Sequence, residues 1–369
     1  MIEALETAQR DHFGNPSSPY QFGRSARRLI DSSRDSLASA LGCKPSELIF
    51  TSGGTESNNL AIKGFCRKNP KGHCGHIITS SIEHHSVLNC CRSLEGEGFS
   101  VTYLEVDSSG RVYPEQVEEA LLDDTILISI HHANNEVGTL EPIREIAQVA
   151  NRHQVLFHTD SVQSFLKIPI QVNELGVDFL SISGHKINGP KGVGALYVRG
   201  GIKIDPEIHG GEQERGFRSG TENVAGIAGF GTAVEMGLSK GDSEWEIFRK
   251  LRDDLETRIK QSIPDVQVNG HFEDRLPGTS NVSFPGARGE SLLIRLDMAG
   301  IAVSTGSACS TGSLSPSHVL TAMGIPYELN ECSLRFSFGL GNSKEDVDRV
   351  MEHLPFIVSD VRKSSPVQT

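Results

Sequence analysis

The sequence predicts an α/β protein: a large domain on a mostly parallel sheet covered by helices, then a smaller α+β domain. Three observations predict it. Short, β-branched apolar runs alternate with helical patterns through the first two thirds of the chain. Polar residues suited to chemistry directly follow several of those runs. The texture then changes near residue 240, and 369 residues suit about two domains.

The strand expectations, in order, are 48–52 (LIFTS), 76–80 (HIITS), 101–106 (VTYLEV), 125–130 (TILISI), 155–158 (VLFH), 177–182 (VDFLSI) and 193–198 (VGALYV). Runs of four to eight apolar residues between turn signals read as buried strands. Between them, Pro142 opens a helix over 143–152, with Ile143, Ile146, Ala147 and Ala150 on one face, and Pro114 opens a second over 115–122. This βα alternation implies a parallel sheet with helices on both faces. In such sheets ligands sit beyond the carboxyl ends of the strands. After the loop 239–242 (SKGD), a charge-rich amphipathic helix spans 245–263 and stops at Pro264-Asp265. Strands at 267–269, 280–284, 301–303 and 333–338 and a last helix from Lys344 complete the smaller domain.

Composition excludes several classes. The net charge of −12, from 35 basic and 47 acidic residues, argues against a general nucleic-acid or anionic-membrane binder. No run approaches the length of a membrane-spanning helix, and the polar, acidic start MIEALETAQRDHFGNP lacks the pattern of a signal peptide. Seven cysteines without CxxC spacing are a poor disulfide framework and suit a reducing, cytoplasmic setting. His73, Cys74 and His76 lie near Cys66, but the segment around Lys71-Gly72 reads as a surface loop, and no metal site is expected.

The motifs at the expected strand ends carry the chemistry. In SGGTESNN (52–59), a strand, a glycine pair and hydroxyl residues opening a helix make an anion cradle, with Thr55 as an added donor; an ordinary helix cap is the competing reading. In VDFLSISGHKINGPK, Lys186 follows a buried strand and suits a nucleophilic amine for a Schiff base; Lys191 is the competitor. Ser183 and His185 beside it suit a phosphate. Asp160, in FHTDSVQ, suits a protonated ring nitrogen, or caps a helix. Asn134 and Asn135 suit a ring oxygen, and His84 or His85, in SIEHHS, a flat ring to stack on. Together these point to pyridoxal 5′-phosphate (PLP). Small polar neighbours surround Cys309 in STGSACSTGS and favour a reactive thiol over a buried one. Arg335 sits in an apolar strand, where its guanidinium fork suits a substrate carboxylate.

The motifs SGGTESNN, IEHHS, HANNEVG, FHTDSVQ, SGHKINGPKGVGALYVR, ERGFRSGTEN, STGSACSTGSLSPSHVL and LRFSFG resemble, in order, those of the cysteine desulfurases of the NifS/IscS group, PLP enzymes of the aspartate-aminotransferase fold (PLP fold type I). The resemblance runs from Phe13 to the last helix and begins after the strand and turn, reading like YLDNAATTP, with which the family usually opens. It implies that Lys186 forms the Schiff base with the cofactor and shuttles the substrate's α-proton. Asp160 would pair with the pyridine nitrogen, Gln163 and Asn135 would reach the ring oxygen, and His84 would stack on the ring. Gly54, Thr55, Ser183 and His185 would hold the phosphate, and Thr221 would reach the phosphate of the other subunit of a homodimer. Arg335 and Asn135 would bind the substrate, and Cys309 would accept its sulfur as a persulfide. The implied reaction converts L-cysteine to L-alanine and supplies sulfur to an acceptor protein, such as an iron–sulfur scaffold or a thiolation enzyme; selenocysteine lyase is the alternative on the same scaffold. The implied division is an N-terminal segment 1–12 packing with the small domain, a PLP-binding domain 13–240, and a small domain 241–369 bearing the cysteine loop.

Overall fold

The computed structural model describes residues 1–68, 74–305 and 316–364. The chain divides into two units, the first comprising Met1–Leu104, Tyr113–His132 and Pro142–Gly241, the second Glu105–Val112, Ala133–Glu141 and Asp242–Thr369.

In the first unit, helices α1 (Ile2–Asp11) and α2 (Gln21–Leu41) precede strand β1 (Leu48–Thr51) and helix α3 (Gly54–Lys68). There follow β2 (His76–Ser80), α4 (His85–Glu95), β3 (Ser100–Leu104), α5 (Pro114–Glu119), β4 (Thr125–Ser129) and α6 (Ile143–Arg152). The unit closes with β5 (Leu156–Asp160), α7 (Val172–Leu175), β6 (Phe179–Ser183), β7 (Gly194–Val198) and α8 (Val224–Lys240). Among the described residues, seven strands form one sheet in the order β1-β7-β6-β5-β4-β2-β3. Its strands are parallel except β7, which runs antiparallel to both β6 and β1. The reason is local. β6 returns into β7 through a short loop rather than a crossover helix, and a short return leaves only the antiparallel option. Strands β1, β2, β4, β6 and β7 are buried along their whole length, as helices on both faces require.

Residues 1–12 were expected beside the small domain. Instead α1 lies on α8, within the first unit. Close packing explains it: the position of a side chain on Gly229 is occupied by Leu5, and that on Gly231 by Ser33 of α2, so small residues on α8 admit both helices.

In the second unit, α9 (Asp242–Ser262) and α10 (Gly289–Met298) pack with α13 (Lys344–Ser364), and β8 (Gln267–Asn269), β9 (Thr279–Ser283) and β10 (Ser333–Ser337) form an antiparallel sheet in the order β10-β9-β8. Short helices α11 (His318–Ala322) and α12 (Tyr327–Asn330) precede β10. Leu251, Leu255 and Ile259, one turn apart on α9, join Val282, Leu334 and Val358 in one core. The strand expected at 301–303 is absent: only Ser304 pairs, as an isolated bridge to Arg335. Segments 105–112 and 133–141, read as parts of the large domain, belong to this unit: backbone bonds fasten the second, Leu140 N–H to Asp274 and Leu276 N–H to Gly138, and side-chain bonds fasten the first, Arg111 Nη1 to Asp274 Oδ2 and Thr139 Oγ1 to the Ser109 carbonyl.

Candidate active site

In the first unit, the residues expected to carry chemistry follow the carboxyl ends of parallel strands. Gly54 and Thr55 open α3 after β1, His84 follows β2, Asp160 ends β5, Ser183 ends β6, and His185 and Lys186 follow it. Hydrogen bonds join the neighbouring strand ends, from His132 N–H to the Asp160 carbonyl and from Ser161 N–H to the Ser181 carbonyl.

The anion cradle is a strand-to-helix turn. Gly53 has φ +153°, a conformation that side chains resist, and a Cβ on Gly54 would meet Val162 Cγ2 at 2.6 Å. The first N–H groups of α3 have no intrahelical acceptor and favour an anion. In the first turn, Glu56 accepts from Ser52 N–H and from Arg218 Nε at 3.0 Å. Burial opposes the charge of Glu56, but these donors outweigh it and hold its carboxyl below the usual range. Arg218 therefore fastens the stretch that leads to exposed Thr221.

Asp160 is buried. Its Oδ1 accepts from Val162 N–H at 2.9 Å and its Oδ2 from Asn58 Nδ2 at 2.7 Å. Burial pushes its carboxyl up against the pull of those two donors. His84 caps α4, its Nδ1 accepting from Ser86 N–H at 3.1 Å. Burial lowers its pKa, Asp160 opposes that, and the charges of His85 and Lys186 lower it further. Gln163 Oε1 accepts from Lys167 Nζ at 3.1 Å, which leaves its N–H groups as donors. Ser183 Oγ and His185 Nδ1 lie 2.8 Å apart. Burial, then the nearby lysines led by Lys186, lower the His185 pKa.

Lys186 lies in a turn of 3-10 helix, Gly184–Ile187, closed by Gly189 N–H on the Gly184 carbonyl and anchored by Gly184 N–H on the Val193 carbonyl. Lys191 lies farther along the same loop, after Pro190.

Asn135 and Arg335 belong to the second unit. Arg335 Nη1 donates to the Asn135 carbonyl at 2.7 Å, while its Nε is buried without a hydrogen-bond partner among the described residues. An unpaired buried guanidinium N–H is what an incoming carboxylate would satisfy. Beside it, Glu136 accepts from Ser317 Oγ at 2.5 Å. Burial raises the Glu136 carboxyl to about 7 despite Ser317 and Arg335. Cys309 lies outside the described residues, as does His73 of the cysteine–histidine cluster. His76 of that cluster is held within the sheet by the Thr125 and Thr102 hydroxyls, each at 2.8 Å.

Sequence reasoning missed two buried groups. Asn58 bonds both Asp160 and Ser86, and Glu83 accepts from Ser80 Oγ and from His131 N–H, each at 2.8 Å. The only signal was their position inside SGGTESNN and SIEHHS.

The residues fit PLP. A helix start suits the phosphate, Asp160 a ring cation, the Gln163 donors a phenolic oxygen, and Lys186 a carbonyl carbon. Asn58, which bonds Asp160, also has a buried Oδ1 without a hydrogen-bond partner among the described residues, which marks polar capacity there.

Fold and donor set thus define a PLP fold type I protein. The Aminotransferase class-V profile matches residues 1–350, and the chain belongs to that family, whose members depend on PLP. It is 52% identical over 367 residues to cysteine desulfurase IscS of Dictyoglomus turgidum, covering 99% of this chain and 93% of that one. Among solved structures, a NifS-like protein superposes with TM-score 0.91 at 38% identity, covering 97% of this chain and 95% of the other. SspA in complex with cysteine gives 0.81 at 41%, covering 91% and 94%.

Proposed function

We propose that this protein is a PLP-dependent cysteine desulfurase converting L-cysteine to L-alanine, with the sulfur passed to Cys309. The observation that carries the reading is the buried Asp160 carboxylate, held by Asn58 and Val162 at one strand end while Lys186 follows another. Full-length similarity to cysteine desulfurases supports it and does not favour the selenocysteine lyase alternative.

PLP, when bound, supplies an electron sink that labilises bonds at the amino acid's α-carbon. Gly54, Thr55, Ser183 and His185 would hold its phosphate, Asp160 would keep the ring nitrogen protonated, Gln163 and Asn135 would serve the ring oxygen, and His84 would offer its ring to the cofactor's. Lys186 would anchor the cofactor and carry the α-proton. Arg335 would fix the substrate carboxylate, for which its Nε, without a partner among the described residues, provides a donor. The Cys309 thiolate attacks the substrate sulfur. The substrate C–S bond breaks, an S–S bond forms, and the carbon that loses sulfur gains a proton, so L-alanine leaves and one sulfur atom stays on Cys309.

The working form is a homodimer in which Thr221 reaches the partner's phosphate; exposure of Thr221 supports this. The acceptor is an iron–sulfur scaffold or a thiolation enzyme in the cytoplasm; the IscS names of the relatives support the first. Among the described residues no helix is long and apolar enough to cross a membrane.

Alanine release from L-cysteine tests the reading. Wild-type protein should show the visible absorbance of bound PLP and release alanine. Lys186→Ala should lose turnover by at least about a thousandfold, the upper part of the range for a positioned acid–base group. Unchanged turnover in Lys186→Ala would transfer the role to Lys191 or end the reading.

A further inference from the structure

We infer that Asn58, acting through Ser86, holds His84 in a single tautomer, with its proton on Nε2 and Nδ1 kept as an acceptor. Asn58 is thus a positioning residue that ties His84 to Asp160.

Four side chains in the first unit form one continuous path. Asn58, fully buried on α3, places Nδ2 at 2.7 Å from Asp160 Oδ2 and 2.8 Å from Ser86 Oγ. Ser86 Oγ lies 2.8 Å from His84 Nδ1, and Ser86 N lies 3.1 Å from the same atom.

One arrangement of protons satisfies every contact. An amide nitrogen donates and never accepts. Both Asp160 oxygens accept, one from Val162 N–H and one from Asn58, which is the pattern of an ionised carboxylate. Turning the Asn58 amide over would set two proton-free oxygens 2.7 Å apart. Its N–H groups therefore face both Asp160 and Ser86. The Ser86 oxygen accepts one of them, which directs its own proton to His84 Nδ1. The Ser86 backbone N–H has a fixed direction and reaches Nδ1 as well. With two donors aimed at it, Nδ1 carries no proton, and a neutral ring must carry its proton on Nε2. Donation runs outward from Asn58 in both directions, so one amide supports the Asp160 carboxyl together with Val162 N–H and the tautomer of His84 together with Ser86 N–H.

The consequence is directional. His84 offers N–H, not a lone pair, at the ring nitrogen that its own cap leaves uncommitted. The tautomer rests on the geometry alone, whereas its use in turnover rests on the reading of His84 and Asp160 as cofactor neighbours.

The test is nitrogen NMR of histidine ring atoms in protein labelled with ¹⁵N-histidine, with His84 assigned by difference against His84→Gln. It is run on the holoenzyme and again after cofactor removal, near pH 8. The expected result is an acceptor-type Nδ1 and a protonated Nε2 in both samples. A protonated Nδ1 in the cofactor-free protein overturns the inference whatever the enzyme does, and the expected tautomer in a protein that never binds PLP would sink the functional reading alone. Asn58→Leu should lower the tautomer ratio roughly tenfold, the change implied by losing one directing hydrogen bond, and Ser86→Thr should leave it unchanged. If Asn58→Leu does not fold, Ser86→Ala removes the same link and should move the ratio the same way. A folded Asn58→Leu, or in its place Ser86→Ala, that keeps the wild-type ratio overturns the role of Asn58.

Discussion

Single side chains define the chemistry here, and they differ in how openly the sequence displayed them. Lys186, Asp160 and Arg335 stood out because each follows or interrupts an apolar run, where a charge demands an explanation. Asn58 and Ser86 did not. A buried asparagine on a helix is unremarkable in sequence, and its bonds reach 102 residues along the chain to Asp160. Arg335 yields a prediction at this scale. One terminal nitrogen of its fork, Nη1, is already engaged by the Asn135 carbonyl, so its remaining donors must be aimed correctly to meet a carboxylate. Arg335→Lys keeps the charge and loses the fork. Steady-state kinetics should show a rise in KM for L-cysteine of roughly tenfold to a hundredfold, as expected for a charged hydrogen bond lost. An unchanged KM would show that the carboxylate binds elsewhere.

Secondary-structure elements were legible where periodicity was strong. Helix α6 (Ile143–Arg152) and strand β8 (Gln267–Asn269) match their expected limits. Helix α8 was not foreseen, because VAGIAGFGTAVEMGLSK is rich in glycine, a poor helix former, and only the packing of α1 and α2 against those glycines explains its composition. The strand expected at 301–303 failed for the opposite reason: β-branched residues alone do not supply a partner strand. A buried ion pair fixes another element. Glu214, in the turn Gln213–Gly216, accepts from both terminal nitrogens of Arg34 on α2 and from Phe50 N–H on β1. Glu214 and Arg215 both take positive φ, 45° and 60°, to make this contact. Glu214→Gln should lower the stability of the protein by about 3 kcal/mol, because it leaves the Arg34 charge buried and unbalanced. Denaturant unfolding measures it, and a loss below about 1 kcal/mol would mean that Arg34 finds another partner.

At the scale of the whole molecule, the change near residue 240 was legible, and the observed units part at Gly241 and Asp242. The transfer of 105–112 and 133–141 to the second unit was not, because it depends on backbone bonds of Gly138 and Leu140 to residues 274–276 and on side-chain bonds of Arg111 and Thr139, none of which is local in sequence. Buried groups also give pH responses of opposite sign. In the first unit, burial lowers His132 and His158 to about 4, so both are neutral when folded. The stability linked to them is present above their unfolded pKa of about 6.5 and is lost as pH falls through about 4. In the second unit, Glu136 is raised from 4.5 to about 7, so the stability linked to it is present below 4.5 and is lost as pH rises through about 7. Glu136→Gln should therefore gain on wild type by about 2–3 kcal/mol between pH 4.5 and pH 8, read from unfolding at the two pH values. A constant difference would mean that Glu136 titrates normally.

The central claim is that sulfur leaves L-cysteine and comes to rest on this chain. Holoenzyme mixed with one equivalent of isotopically labelled L-cysteine, without reductant, and then digested for mass spectrometry tests it most directly. The account predicts labelled alanine in solution and one added labelled sulfur atom on the peptide bearing Cys309, absent from Cys309→Ala. Alanine formed at the same rate by Cys309→Ala, or labelled sulfur on a different cysteine of the wild type, would contradict it.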